Sequence, residues 1–207
     1  MQQVVNWEPF FQVLENDRIV DPIGLRRQHK LVNWQAMASA WRVELPQLAA
    51  GLHLQSGHFH VRHIHLPGGG RYVIAWDVTK AQSLIRDERI VPRRWRAADL
   101  KLYVATEAEG ESPHLSMPGP IIWTGYPTEP PGVLIDGNHR VREAPADSWV
   151  EAYEIPTALM PKTLANNVYR RFYEWHSQIS SWLWAEIQTQ RVVPDLSIPD
   201  RFRVVEH

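Results

Sequence analysis

The spacing of apolar positions changes period along the chain, and each change predicts an element. Between residues 28 and 45, Leu31, Trp34, Met37, Ala38 and Trp41 recur at steps of three and four, the stripe of an amphipathic helix. The stripe follows a turn at Asp21-Pro22-Ile23-Gly24 and is expected to stop at Pro46, which lacks a backbone N–H. Residues 1–50 therefore read as a helical N-terminal segment. From His58 the texture turns to β-rich runs, at 58–66 and 71–76, on either side of Pro67-Gly68-Gly69-Gly70, which predicts a hairpin. Asp77-Val78-Thr79 offers N-cap candidates for a helix reaching about Arg89. Residues 100–105 read as a further strand.

Seven prolines fall between residues 113 and 145, a texture of loops and short strands. Within it Pro120-Ile121-Ile122-Trp123 and Val133-Leu134-Ile135 are short apolar runs of the buried-strand type. Residues 149–155 alternate Trp149, Glu151, Tyr153 and Ile155 against Val150, Ala152 and Glu154, the pattern of one more strand. Finally Leu164, Val168, Phe172, Trp175, Ile179, Trp182 and Ile187 place an apolar face on a long amphipathic helix over residues 162–190. Such a face packs on its own domain or covers a second copy, a homodimer through residues 164–187. The tail after Arg191, with Pro194 and Pro199, reads as extended. The expected fold is α+β in a single domain over residues 1–207. A small mixed β-sheet in residues 58–160 lies between the helical N-terminal segment and the long C-terminal helix.

Composition narrows the function. Hydrophobic residues at 44% and charged residues at 22% belong to a globular chain rather than a disordered one. A net charge of −1 excludes a uniformly basic nucleic-acid coat but leaves room for a local basic patch. With no cysteine, disulfides, thiolate metal sites and thiol nucleophiles are excluded, as a reducing cytoplasm would allow. No basic-then-apolar leader opens the chain and no window approaches a membrane span, so a cytoplasmic protein without a membrane partner is expected. Ten tryptophans spread along the whole chain read first as core.

The sharpest chemical signal is Val133-Leu134-Ile135-Asp136-Gly137-Asn138-His139-Arg140. A buried strand ends at a carboxylate, and Gly137 permits a tight turn with converging backbone N–H groups. An imidazole able to donate to a phosphoryl oxygen or move a proton and a guanidinium able to grip phosphate follow. Asp136 could hold a metal, orient His139 or act as a base. Asp-Gly-Asn is equally ordinary turn chemistry between two elements.

The string LIDGNHR resembles the signature box of the ParB/sulfiredoxin-like superfamily, where a strand runs into Gly-x-x-Arg or Asp-Gly-x-His-Arg at a helix start. The flanking order is also similar: the Pro120-Ile121-Ile122 strand, the box, then Val150-Glu151-Ala152-Tyr153. The resemblance covers residues 115–160 and implies the superfamily's small mixed sheet. It implies phosphate or nucleotide binding, of the ATP or CTP class and with magnesium, by Gly137, Asn138, His139 and Arg140. Asp136 and His139 would then be the catalytic candidates for nucleotide hydrolysis or nuclease activity, in a bacterial, plasmid or phage regulatory system. Asn138 stands where sulfiredoxins keep their reactive cysteine, which excludes that chemistry. Pro145 leaves barely one helical turn after Arg140. Ile23-Gly24-Leu25-Arg26-Arg27 is a candidate second phosphate contact, and no helix-turn-helix is evident.

Two further constellations compete. Five of the ten histidines lie between His53 and His65; His58 with His60, or His63 with His65, could share a metal on a strand, as part of a metal-dependent enzyme. The bland reading is a solvent-facing strand, because neither pair has a third ligand at recognisable spacing. Arg86–Arg96 (RDERIVPRRWR) sets Arg93, Arg94 and Arg96 beside Trp95, a secondary basic patch able to meet single-stranded nucleic acid. Its bland reading is a solvated helix end and loop neutralised by Asp87 and Glu88. The rival from another class is a non-catalytic interaction module that docks a partner through the Trp-rich C-terminal helix.

Overall fold

A computed structural model describes residues 6–15, 34–49, 57–66, 69–104, 120–127, 132–189, 192–194 and 202–204. Its order is α1 (Glu8–Glu15), α2 (Trp34–Ala49), β1 (Phe59–His65), β2 (Arg71–Asp77), α3 (Val78–Asp87), β3 (Arg93–Arg96), α4 (Ala97–Lys101), β4 (Ile121–Thr124), β5 (Val133–Asp136), α5 (Asn138–Glu143), β6 (Trp149–Ile155), a 3-10 turn (Met160–Thr163), α6 (Asn167–Thr189), β7 (Val192–Pro194) and β8 (Phe202–Val204). The molecule is α+β. Its chain divides into two compact units, one of Met1–His53, His63–Val73 and Arg171–His207, the other of Leu54–Arg62 and Ile74–Arg170. Strands β1 and β2 pair.

The first unit is organised by aromatic rings. Trp7 stacks on Tyr72 with centroids 5.1 Å apart, Trp41 stacks on Trp175 at 5.1 Å, and Trp7 meets Trp175 edge-on at 5.6 Å. Phe10, Phe11, Phe172 and Ile179 complete this buried group. Asn6 starts α1: its Oδ1 accepts the Glu8 N–H, and its own peptide exchanges two hydrogen bonds with Arg71. Close approach there needs Gly70, where an added Cβ would sit 2.7 Å from Cβ of Phe10. Arg42 of α2 forks onto Glu8 of α1, and Arg171 of α6 onto Glu44 of α2. Deep in the ring cluster, the Tyr72 hydroxyl and His176 Nδ1 share a 2.7 Å hydrogen bond.

The second unit is built on a four-stranded sheet of order β3-β6-β4-β5, with β6 and β4 parallel and the outer pairs antiparallel. One sheet face buries Trp123, Leu134, Ile121 and Ala152 against Leu100 of α4 and Val141 of α5. Trp123 is clamped between Tyr103, stacked at 5.2 Å, and the edge of Trp95 at 4.9 Å. Asp77 caps α3 by accepting the Lys80 N–H, as its position before Val78-Thr79 predicts, and Val78, Ala81, Leu84 and Ile85 form its buried stripe.

Three local expectations need correction. The described part of the strand expected at residues 100–105, residues 100–104, is not a strand: α4 ends at Lys101 and residues 102–104 turn. Ala97 and Leu100 are both buried, a helical spacing of three that a strand would split between two faces. Helix α2 runs past Pro46 to Ala49, since a proline's φ is itself helical and it forfeits only one N–H. The long helix begins at Asn167 rather than at 162, so Leu164 precedes it; its described buried face is Tyr169, Phe172, Tyr173, Trp175, His176 and Ile179. Phe172, Trp175 and Ile179 are thereby already packed within their own chain. The side chains of Trp182 and Ile187, like Leu31 and the 21–27 segment, lie outside the described residues. No helix among the described residues is long and apolar enough to cross a membrane.

Candidate functional site

The box sits on an outer strand of the sheet. β5 delivers Asp136 at its end, Gly137 turns the chain at φ +90°, and α5 starts at Asn138 and runs only six residues. The turn needs glycine twice over. Its φ is one that L side chains avoid, and an added Cβ would lie 2.8 Å from Cγ1 of Ile121 and 3.1 Å from Nη2 of Arg140.

Each box residue has a distinct environment. The Asp136 carboxylate, partly exposed, accepts the Gly137 N–H at 2.7 Å. Arg140 Nη2 donates to the Pro120 carbonyl at 3.0 Å and lies 3.9 Å from Asp136 Oδ1. The guanidinium is thus held over the glycine by the start of β4 rather than released into water. Asn138 turns inward: its Nδ2 donates to the Leu134 carbonyl at 3.2 Å, and its Oδ1 is buried with no hydrogen-bond partner. His139 is exposed at the head of α5. The structure therefore gathers Asp136, Gly137 and Arg140 round one turn. It spends the Gly137 amide on Asp136, a carboxylate occupying the position an incoming anion would take.

The basic patch is elsewhere. Arg93, Arg94 and Arg96 form β3 on the opposite edge of the sheet from β5, three strand spacings or about 14 Å away. They are a strand, not a loop, and Trp95 is not their aromatic partner: it faces the core against Trp123. The partner is Trp149, which stands directly across the ladder from Arg96. The guanidinium carbons of Arg94 and Arg96 each lie 5.5 Å from its ring centre. Trp149 is the residue that sequence reasoning missed. Its place at the head of an alternating run was visible, but the register that pairs it with β3 was not.

Among the described residues the histidine strand gives no ligand cluster. His60 packs its ring on Trp76 at 5.8 Å with Nε2 buried and unpartnered, and burial with the nearby Arg62 charge pushes it down to about 4. His58 and His65 are exposed. Among the described residues no group of three or more histidine, aspartate and glutamate side chains could hold a metal ion. No protein-family model matches the chain, and neither the curated proteins nor the solved structures contain a match to it.

Proposed function

We propose that the chain binds the phosphates of a nucleotide at the Asp136–Arg140 turn, as its resemblance to the ParB/sulfiredoxin-like superfamily implies. The observation that carries the reading is the Arg140 guanidinium, anchored by the Pro120 carbonyl over a residue without a side chain. An arginine held in place at a glycine turn gives up little freedom when it meets phosphate. With the Gly137 amide engaged and the Asn138 side chain turned inward, phosphate contact falls to Arg140 and the exposed His139.

Asp136 sets the condition for binding. Its carboxylate, 3.9 Å from the guanidinium, repels a bare phosphate. One carboxylate with substrate phosphates fits the way magnesium is commonly held, so Asp136 is the residue to share such an ion. Bound there, the ion would neutralise the clash and draw charge from the phosphoryl oxygens. His139 is placed to donate to a phosphoryl oxygen or to move a proton during hydrolysis.

Thermal-shift titration with ATP and CTP, with and without magnesium, tests this. A magnesium-dependent rise in Tm is expected, reduced in His139→Ala and abolished in Arg140→Ala with the far-UV spectrum intact. A rise that survives Arg140→Ala, or no rise with either nucleotide, removes the proposal.

A further inference from the structure

A cationic and aromatic surface lies at the far edge of the same sheet from the box. In the β3–β6 ladder Arg96 pairs with Trp149 and Arg94 with Glu151, so Arg94, Arg96, Trp149 and the single carboxylate of Glu151 share one face while Trp95 and Val150 share the buried one. Trp149 is 52% exposed, an unusual state for the largest side chain in a unit that buries Trp76 and Trp123. Neither Arg94 nor Arg96 makes an ion pair with a carboxylate among the described residues; their partner is the indole. Arg93 is loosely held, 3.7 Å from Glu154 with most of its side chain in water.

We propose that Arg94, Arg96 and Trp149 form a platform for single-stranded nucleic acid, with one base stacked on Trp149 and the flanking phosphates on the two arginines. Charge selects the occupant. An edge strand whose four residues include three arginines repels the same strand of a second copy, which disfavours extension of the sheet by self-pairing. The same charge attracts a polyanion. A π-face framed by cations suits alternating bases and phosphates, whereas an acidic peptide would leave the indole unused. Duplex DNA stacks its bases internally and offers none to the indole. Arg94 and Arg96 stand two residues apart on an extended strand, about 7 Å, so the contact spans two or three nucleotides and is weak and salt-sensitive.

Fluorescence anisotropy tests it on the full chain, using a labelled twelve-nucleotide oligo(dT), a twelve-base-pair duplex and a twelve-residue glutamate peptide. The oligo(dT) should bind best, with a log–log salt slope near −1.4 for about two phosphates. Trp149→Ala should weaken it about tenfold and Trp149→Phe much less. Arg94→Gln/Arg96→Gln should weaken it similarly and flatten the salt slope. Arg94→Gln/Arg96→Gln should leave the nucleotide-dependent rise in Tm unchanged, which separates this surface from the nucleotide reading. No oligo(dT) binding at low salt overturns the proposal. So does equal binding of the glutamate peptide, a preference for the duplex, or affinity indifferent to Trp149 and to both arginines. Self-association lost in Trp149→Ala, without oligo(dT) binding, would make the surface an interface between copies instead.

Discussion

Asp136 Oδ1 stands 3.9 Å from Arg140 Nη2, and the same oxygen takes the Gly137 N–H. The box thus carries its own anion. Replacing it should remove a competitor: Asp136→Asn keeps an acceptor for the glycine amide but loses the charge. Nucleotide binding in this variant should become stronger without magnesium and lose most of its magnesium dependence, read by calorimetric titration with and without a chelator. Weaker binding in the absence of metal would mean that the carboxylate does not oppose the ligand.

Gly137→Ala should cost about 1–3 kcal/mol from the φ of +90° and the contact with Ile121. Urea unfolding measures it. An unchanged midpoint would show that the turn is more accommodating than this geometry allows.

The two tryptophans of the β3–β6 ladder should separate cleanly. Trp95→Ala opens the core beside Trp123 and should destabilise by about 3 kcal/mol. Trp149→Ala removes an exposed ring and should cost under about 1 kcal/mol. Equal losses would contradict the assignment of one to the core and the other to the surface.

Stability should fall on mild acidification. Burial holds His176 at about 4 against an ordinary 6.5, and burial together with the Arg62 charge does the same for His60. Both stay neutral in the folded chain while the unfolded chain takes up protons below about 6.5. Between about 4 and 6.5 the unfolded state therefore binds more protons, so their contribution is intact above that window and is lost as pH drops through it. For His176 the full loss is about 3 kcal/mol at most. Urea midpoints at pH 7.5 and pH 5 should differ in that direction. His176→Gln should shrink the difference while lowering stability at pH 7.5, because the hydrogen bond between the Tyr72 hydroxyl and His176 Nδ1 is lost. A midpoint that rises toward pH 5 would count against the buried neutral state.

Nearest-neighbour rules reach as far as the chain's own periodicity. Val133-Leu134-Ile135 and Ile121-Ile122-Trp123 announce buried strands because both their faces are apolar, and they are buried. Asp77 announces the start of α3 because capping depends on a few adjacent residues. Choice of partner is another matter. Trp95 and Trp149 both sit in short β-rich runs, and only the antiparallel register of β3 on β6 sends one inward and the other to water. Arg140 is legible as a guanidinium near a glycine, but its bond to the Pro120 carbonyl depends on β4, twenty residues away in sequence. The aspartate that satisfies the Gly137 amide could equally have been read as a metal ligand, since residue type does not disclose which acceptor a turn will use.

The meeting of Trp7 with Trp175 has a consequence for how the molecule is made. The ring cluster needs residues from 7–72 and from α6, while Ile74–Arg170 lies between them as a single uninterrupted stretch. On a ribosome that middle stretch can begin to organise first; Trp7 meets Tyr72 and Trp41 early, but its contacts with Phe172 and Trp175 must wait until α6 has been made. Contacts of such long reach are slow to close. A truncation just before residue 171 should leave the amino-terminal aromatics exposed to the quality-control machinery of the cell.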